Sequence, residues 1–139
     1  EHVEERHLVD AYFDQAGFEA ELAGLPGKYA PPDGDLLLAR VDGEAAGCVA
    51  LRALGGGACE MKRMFVYPRY QGYGVGRALG DAVLREARLA GHTVMRLDTS
   101  RRQEAAIALY RKLGFSEAEP YYELPQELND WLVFMELGL

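Results

Sequence analysis

The spacing of apolar residues predicts helices at the beginning of the chain. Over residues 3–24, apolar side chains recur at steps of three and four positions, which is typical of amphipathic helices. Gly17 is expected to divide this segment into two helices. Residues 25–34 contain several prolines and glycines and therefore predict a loop.

The rest of the chain mixes strand and helix patterns. Asp42-Gly43 predicts a hairpin turn, the three glycines at 55–57 predict a looser one, and Gly114 ends the last helix pattern. These elements predict one α+β domain over residues 1–139, with a mostly antiparallel sheet. Strands are predicted at residues 36–41, 46–51, 58–66, 93–99, 115–121 and 132–137, and helices at 75–91 and 103–113.

One predicted strand contains a shift in its alternation. Cys59 and Met61 share one face, whereas Met64 and Val66 share the other, with two charged residues between the pairs. A shift of one residue within a strand is what a β-bulge produces. We therefore expect a bulge in the middle of this strand.

Composition narrows the class of function. The chain has 139 residues, of which 49% are hydrophobic and 27% charged, and its net charge of −7 disfavours nucleic-acid binding. Apolar runs are too short for a membrane span, and the first residues are charged where a secretory signal would be apolar. We expect a cytoplasmic protein that acts on a small molecule, with neither nucleic acid nor a membrane as partner. An exposed edge strand would allow a homodimer.

The cysteines and histidines give little basis for a metal site. Cys48 and Cys59 form no C-x-x-C motif, and His2, His7 and His92 lack the spacing of zinc ligands. We expect no metal and two unpaired cysteines that serve as small core residues. A disulfide across a hairpin is the alternative.

A glycine-rich loop between a predicted strand and a predicted helix carries the clearest chemical signal. Glycines at such a junction let backbone N–H groups approach an anion, and the helix N-terminus adds its positive dipole. The segment lacks the Gly-Lys-Ser/Thr ending of a P-loop and the glycine spacing of a dinucleotide fingerprint. We expect a pyrophosphate-binding loop, with a ligand-free turn as the alternative. It reads Gln71-Gly72-Tyr73-Gly74-Val75-Gly76-Arg77.

This loop and a second motif resemble the GCN5-related N-acetyltransferase (GNAT) superfamily. Gln71, Gly74 and Gly76 match its Q-x-x-G-x-G acetyl-CoA motif, and residues 105–115 contain an A-x-x-L-Y-x-x-x-G-F segment. The similarity covers residues 36–137. It implies the GNAT fold, a mixed and mostly antiparallel sheet flanked by helices and splayed between its fourth and fifth strands. We expect the family's first strand to lie upstream of Glu1 or to be missing.

The resemblance implies acetyl-CoA as co-substrate. Backbone groups just past the bulge would pair with the pantetheine arm, and the N–H groups of the glycine-rich loop would hold the pyrophosphate. Gln103 stands where many relatives carry an asparagine that contacts the cofactor. The implied cofactor-binding residues are Met64, Phe65, Val66, Gln71, Gly72, Tyr73, Gly74, Val75, Gly76, Arg77 and Gln103.

Acetyl transfer to an amine requires two proton movements. An amine with a pKa near ~10 must lose a proton before it attacks a thioester, and Glu60 is the candidate base, directly or through water. The alternative is that Glu60 only pairs with Lys62 or Arg52. The resemblance aligns Tyr110 with a tyrosine that faces the thioester sulfur, where it could protonate the leaving thiolate; the alternative is a core aromatic.

The acceptor groove is expected between the early helices and the late hairpin. One side would be lined by Tyr29, Pro31 and Pro32, and the other by Tyr121, Tyr122 and Trp131. Nearby acids would suit a cationic small molecule, unless they only form a solvated surface. These acids are Glu119, Glu123, Glu127 and Asp130.

We therefore interpret the chain as an N-acetyltransferase that transfers the acetyl group of acetyl-CoA to a small-molecule amine. Direct attack in a ternary complex would leave no role for a cysteine nucleophile. One alternative is a catalytically silent acyl-CoA-binding sensor or regulatory module, which would not need Glu60 or Tyr110. Another is a nucleotide-binding regulator, which would bind adenine nucleotides lacking pantetheine equally well.

Overall fold

The computed structural model describes residues 2–5 and 34–139, which form a seven-stranded sheet with helices packed against it. The strands are β1 (His2–Glu5), β2 (Gly34–Val41), β3 (Glu44–Gly55), β4 (Ala58–Val66), β5 (Val94–Ser100), β6 (Ser116–Ala118) and β7 (Leu132–Gly138). The helices are α1 (Val75–Leu89), α2 (Glu104–Leu113) and α3 (Gln126–Asn129), together with a 3-10 turn at Pro68–Tyr70.

The sheet is mixed and mostly antiparallel, which confirms the predicted fold class. Its strand order is β1-β2-β3-β4-β5-β7-β6, and within the described residues only β4 and β5 run parallel. Helix α1 supplies the crossover that a parallel pair requires. The crossover places the glycine-rich loop and the start of α1 directly after β4.

The beginning of the chain differs from the prediction. The apolar spacing predicts helix from residue 3, but residues 2–5 form β1, which pairs with β2 in the register Val3↔Ala39. Four residues are too few to distinguish the helical spacing of apolar residues from the alternation of a strand. The edge of β2 offers backbone hydrogen-bond partners, and these favour the strand. A strand is thus present ahead of β2, where we expected it upstream of Glu1 or missing. The predicted helices over 6–24 and the loop over 25–33 lie outside the described residues.

One face of the sheet forms the main core with α1. Val75, Leu79, Val83 and Ala87 follow the predicted helical spacing and are all buried. They pack against the side chains of alternate strand residues, among them Cys59, Met95, Leu97 and Met135. Because successive strand residues point to opposite faces, Glu60 and Arg96 lie on the other face of the sheet.

The last strands show one correction. A strand is predicted over 115–121, but β6 ends at Ala118. Pro120 follows shortly and has no N–H to donate to a strand partner, so pairing stops before it and the next two tyrosines leave the sheet. Cys48 and Cys59 are buried and not joined by a disulfide, as predicted.

Candidate active site

The sheet opens between β4 and β5. These strands pair only from Ala58↔Val94 to Glu60↔Arg96, although both continue well beyond that point. The resemblance implies this splay, and the structure has it. Glu60 and Arg96 are the last paired residues, so they lie where the opening begins.

A bulge in β4 lies alongside the opening. The register between β3 and β4 shifts between Cys48↔Phe65 and Ala50↔Lys62, and Arg63 takes a left-handed backbone conformation with φ of 58°. The predicted bulge is therefore confirmed. The Cys48 thiol donates a hydrogen bond of 3.4 Å to the Arg63 carbonyl, which helps to hold the irregular backbone.

The residues expected to meet a pantetheine arm follow this bulge. Met64, Phe65 and Val66 lie beyond the last β4–β5 pair, on the part of β4 that faces the opening. The Val66 carbonyl accepts a 3.2 Å hydrogen bond from the Gln71 side-chain amide at an exposed position. Gln71 therefore ties the glycine-rich loop to the end of β4.

The glycine-rich loop has the backbone geometry that an anion-binding turn needs. Gly72 and Gly74 have φ of 86° and 82°, which favour glycine, and nothing lies within 4 Å of a Cβ added at Gly72. Val75 is buried and fixes the start of α1 in the core. The first bond of the helix runs from Ala78 N–H to the Gly74 carbonyl. The preceding N–H groups of the first turn therefore have no partner within the helix.

Helix α2 runs beside α1 in the same direction. A Cβ at Gly76 would lie 3.1 Å from the Leu109 side chain, and one at Gly80 would press on Leu113. Gln103, which directly precedes α2, therefore lies at the same end of the helix pair as the glycine-rich loop. Arg77 projects from that loop and forms an exposed 3.3 Å ion pair with Asp81.

Together these features fit a CoA group. Its pyrophosphate would find several N–H groups and a helix N-terminus, and its pantetheine arm would find an open strand edge. Some of the expected groups already have intramolecular partners that binding would have to exchange or share. The N–H groups of Gln71 and Tyr73 donate to the carbonyls of Pro68 and Tyr70, the Gln71 side chain donates to Val66, and Arg77 pairs with Asp81.

Glu60 is a buried carboxylate with three partners. It is 1% exposed, and Arg52 Nε donates to its Oε1 at 2.8 Å. The Tyr121 hydroxyl donates to its Oε2 at 2.6 Å, and Lys62 Nζ lies 3.6 Å from the same oxygen. The ion pairs that we considered as the alternative to a catalytic base are therefore both present.

These partners keep Glu60 ionised. Burial by itself would raise the pKa of its carboxyl group, but the hydrogen bonds from Tyr121 and Arg52 and the charges of Lys62 and Arg52 outweigh it. The net effect is a pKa below the ordinary value of a glutamate. The group is thus a fixed negative charge at the mouth of the opening.

Glu60 belongs to a row of alternating charges across the sheet. Arg52, Glu60, Arg96 and Glu136 are direct cross-strand partners on β3, β4, β5 and β7. The ion pair between Arg96 and Glu136 is weaker than that between Arg52 and Glu60. Arg96 Nε lies 3.5 Å from Glu136 Oε1, whereas Arg52 Nε lies 2.8 Å from Glu60 Oε1.

A second ion pair bridges the opening itself. Lys62 on β4 and Asp98 on β5 lie past the last paired residues, and their Nζ and Oδ2 atoms are 3.5 Å apart. Asp98 also accepts a 2.6 Å hydrogen bond from the Tyr122 hydroxyl. The opening is thus lined by charged side chains on the face away from α1.

The structure places Tyr121 and Tyr122 against this charged face. Their rings meet edge to face at 5.2 Å, and both pack on Phe134 of β7. Burial, and then the hydrogen bond to a carboxylate, raises the pKa of each phenol, so both stay protonated at neutral pH. The other expected side of the groove, with Tyr29, Pro31 and Pro32, lies outside the described residues.

Tyr110, the expected proton donor, lies on α2. Its side chain is buried in the main core and meets Phe115 edge to face at 6.0 Å. Burial, with a smaller effect from the nearby Asp98 charge, raises the pKa of its phenol to about 12. The hydroxyl therefore carries its proton at neutral pH. Its place in the core agrees with the alternative that Tyr110 is a core aromatic, and it is not among the residues that line the cavity on the charged face.

A cavity of about 460 Å³ lies on the charged face. None of the four acids expected to line an acceptor groove borders it; all four are exposed, which agrees with a solvated surface. Trp131 is also absent from the lining, and Arg102 stacks over its ring at 4.6 Å. The cavity is lined by Arg52, Leu54, Gly55, Ala58, Glu60, Lys62, Arg96, Tyr121 and Tyr122.

Sequence reasoning missed Arg96 and left Asp98 without a role. The signal was present in β5, where the buried Met95 and Leu97 alternate with these two charged residues. Alternation alone assigns them to a solvated face, however. Only the pairing of β5 with β4 shows that this face lines a cavity.

No helix in the described ranges is long and apolar enough to cross a membrane. In the same part of the chain, no three His, Cys, Asp or Glu side chains are grouped so that they could hold a metal ion.

Comparison with known proteins agrees with this geometry. The model of the acetyltransferase (GNAT) family matches residues 4–115. The chain is 39% identical over 127 residues to an uncharacterised N-acetyltransferase of Schizosaccharomyces pombe, covering 85% of this chain and 78% of the relative. It is also 39% identical over 118 residues to an IAA acetyltransferase of Azospirillum brasilense, covering 84% and 74%. A crystal structure from Klebsiella pneumoniae, assigned as an acyl-CoA N-acyltransferase, has a TM-score of 0.79 at 32% identity and covers 99% of this chain and 97% of that one.

Proposed function

Because the chain belongs to the GNAT acetyltransferase family and is an acetyl-CoA-dependent acyltransferase, we propose that it acetylates the amine of a small-molecule acceptor by direct attack in a ternary complex. The observation that carries this proposal is the position of Glu60. A buried, ionised carboxylate stands at the last β4–β5 pair, between an open strand edge and a cavity of small-molecule size.

Acetyl-CoA would supply an activated thioester, and the chain would supply its binding site. The loop from Gln71 to Arg77 would hold the pyrophosphate through N–H groups at the start of α1. The open edge of β4 at residues 64–66 would pair with the pantetheine arm, and its N–H groups would stabilise the negative charge that develops on the carbonyl oxygen.

Glu60 would attract the protonated amine and orient a water molecule through which the amine's proton leaves to solvent. Because the pKa of its carboxyl group is lowered, Glu60 would not keep this proton and would act as a fixed negative charge beside the amine and the water. The Tyr121 hydroxyl, bonded to Glu60 at 2.6 Å, would fix the orientation of the carboxylate.

Tyr110 would return a proton to the leaving thiolate. Its raised pKa of about 12 keeps the phenol protonated, which a proton donor at neutral pH requires. It would act from the α2 side of the sheet, where its side chain is buried, whereas Glu60 lies on the opposite face. The two proton movements would therefore take place on opposite sides of the opening.

The first test is calorimetric titration with acetyl-CoA, with ATP and NAD as controls. We expect micromolar binding of acetyl-CoA alone, followed by release of free CoA when primary amines are added. Equal binding of ATP would favour a nucleotide-binding regulator. Binding of acetyl-CoA without CoA release on any amine would favour the catalytically silent acyl-CoA-binding module. No binding would overturn the assignment of the loop.

A further inference from the structure

The lining of the cavity beside Glu60 contains more cationic than anionic side chains, although the chain as a whole is acidic. The whole chain has a net charge of −7. The cavity lining, by contrast, contains three cations, Arg52, Lys62 and Arg96, and one carboxylate, Glu60. Two of these cations are also paired at 3.5 Å with carboxylates outside the lining, Lys62 with Asp98 and Arg96 with Glu136. Cationic side chains exposed in a concave site attract ligand groups of the opposite sign. A purely cationic amine would be a poor match for this lining.

We propose that the acceptor carries a carboxylate in addition to the amine that is acetylated, and that Arg96 binds this carboxylate with Lys62 beside it. This inference rests on the proposed acetyltransferase function. It specifies the acceptor class as amino acids and related amino carboxylates.

Arg96 has the position and the donors for this role. It is the cross-strand partner of Glu60 at the start of the opening, and its side chain is 34% exposed. Its ion pair with Glu136 uses Nε at 3.5 Å, which is long for a charge-assisted hydrogen bond. A guanidinium presents five N–H donors in a planar fork and can bind a carboxylate through two of them.

Lys62 adds a second positive group at the same opening. Its Nζ lies 3.6 Å from Glu60 and 3.5 Å from Asp98, so it stands between two carboxylates without a short bond to either. Its side chain is 29% exposed and therefore accessible from the cavity. An incoming carboxylate could approach Lys62 more closely than these two groups do.

The negative groups on this face match the other end of such an acceptor. Glu60 is held by Arg52 and Tyr121, and Asp98 accepts from Tyr122, so both are fixed in place. Glu136 lies on the far side of Arg96. An amino carboxylate carries an ammonium and a carboxylate a few bonds apart. Its ammonium would face Glu60 and Asp98 while its carboxylate reaches Arg96.

The experiment compares matched acceptors that differ only in this charge. Glycine, alanine, aspartate and glutamate would each be tested against the corresponding carboxamide, by CoA release and by calorimetry in the presence of CoA. We expect the carboxylate member of at least one pair to have a kcat/KM at least tenfold above that of its amide. Arg96→Gln should abolish this preference while leaving acetyl-CoA affinity unchanged.

The Glu136→Gln variant distinguishes a role of Arg96 in acceptor binding from a role in stabilising the fold. It removes the carboxylate that partly neutralises Arg96, so it should lower the KM for the preferred acid, whereas Arg96→Gln should raise it. If Arg96 and Glu136 only stabilised the fold, both variants would reduce activity on acids and amides alike, which would overturn the inference. An equal or greater activity on the amides, or no binding of any acid while acetyl-CoA binds, would also overturn it. If the unaltered protein did not bind acetyl-CoA at all, the proposed function would be overturned as well.

Discussion

The Tyr121 hydroxyl donates a 2.6 Å hydrogen bond to Glu60 Oε2, joining residues 61 positions apart in the chain. This bond fastens the segment after β6 to the centre of the sheet, at the point where β4 and β5 separate. It also contributes to the lowered pKa of Glu60. One contact therefore sets both the shape of the cavity and the charge within it.

Replacing Tyr121 by Phe should weaken the fold and raise the pKa of Glu60. The variant loses a hydrogen bond to a buried charge, a change that costs about 1.5–3 kcal/mol. Chemical denaturation would give this loss, and acceptor turnover should fall because the carboxylate is no longer oriented.

Tyr122→Phe is the matched control for that stability measurement. It removes a bond of the same 2.6 Å length, but Tyr122 is 42% exposed and its partner is Asp98. Water can replace the lost bond there, so the loss of stability should be smaller. Equal losses of stability in the two variants would show that the hydrogen bond to Glu60 stabilises the fold no more than the exposed bond to Asp98 does.

The stability of the protein should depend on the ionisation of Glu60 at acid pH. The pKa of its carboxyl group is lowered on folding, so its contribution is fully present above the pKa of an unfolded glutamate, about 4.3. That contribution is lost as the pH falls through the lower pKa of the folded state. The free energy of unfolding, measured from about pH 7 to about pH 3, should therefore decline less steeply at the acid end in Glu60→Gln than in the unaltered protein.

Glu117→Gln provides the comparison for this pH dependence. Glu117 lies exposed on β6, and the substitution removes the same charge without touching the Glu60 cluster. We expect its pH profile to parallel that of the unaltered protein. A Glu60→Gln profile that does so too would contradict the assigned pKa direction.

Tyr110→Phe should lower turnover much more than cofactor affinity. The phenol is buried and stays protonated up to a pKa of about 12, so its loss removes a proton donor and leaves the ring packing against Phe115 intact. Loss of a general acid reduces kcat by roughly 10²–10⁴-fold. Stopped-time assays of CoA release would measure kcat, and calorimetry the acetyl-CoA affinity. An unchanged kcat would leave Tyr110 as a core aromatic only.

The sequence predicted the central part of the fold because each element there carries its own signal. The helix beginning at Val75 has an unbroken apolar stripe, and the bulge near Arg63 shifts the alternation of β4 visibly. The sequence suggested a pair between Arg52 and Glu60, but the continuation of the row through Arg96 to Glu136 could not be predicted, because it depends on which strands become neighbours. The chain start was misread because four residues cannot distinguish a helix from a strand that pairs with β2.

Gly72→Glu should abolish acetyl-CoA binding without unfolding the protein. An added carboxylate in the glycine-rich loop would repel the pyrophosphate, and there is space for the side chain because nothing lies within 4 Å of its Cβ. The remaining cost is backbone strain of about 1–3 kcal/mol at a φ of 86°. Calorimetric titration with acetyl-CoA measures the effect.

Gly91→Glu is the control variant, because it introduces a similar backbone strain at a position outside the glycine-rich loop. Gly91 follows the far end of α1, has a φ of 90° and also has open space around its Cβ. It should lose a similar amount of stability and bind acetyl-CoA normally. Normal binding by Gly72→Glu would mean that the loop is a turn without a ligand.

Gly47→Ala tests whether the bulge positions the open edge of β4. Gly47 lies on β3 opposite Val66, and a Cβ there would collide with the carbonyl oxygen of Phe65 and approach Leu79 at 3.2 Å. Backbone cannot yield as a flexible side chain does, so β4 must shift at residues 64–66. We expect a loss of stability of about 1–3 kcal/mol, as for overpacking, together with at least tenfold weaker acetyl-CoA binding.

Gly80→Ala separates overpacking from displacement of β4. Its added methyl group would press on the end of the flexible Leu113 side chain, far from the bulge. Stability should fall here too, but acetyl-CoA affinity should stay close to that of the unaltered protein. If both variants lost affinity in proportion to stability, the general weakening of the fold would explain the result. A selective loss in Gly47→Ala would tie cofactor affinity to the backbone path of β4, because no side chain that we assign to the acetyl-CoA site changes in that variant.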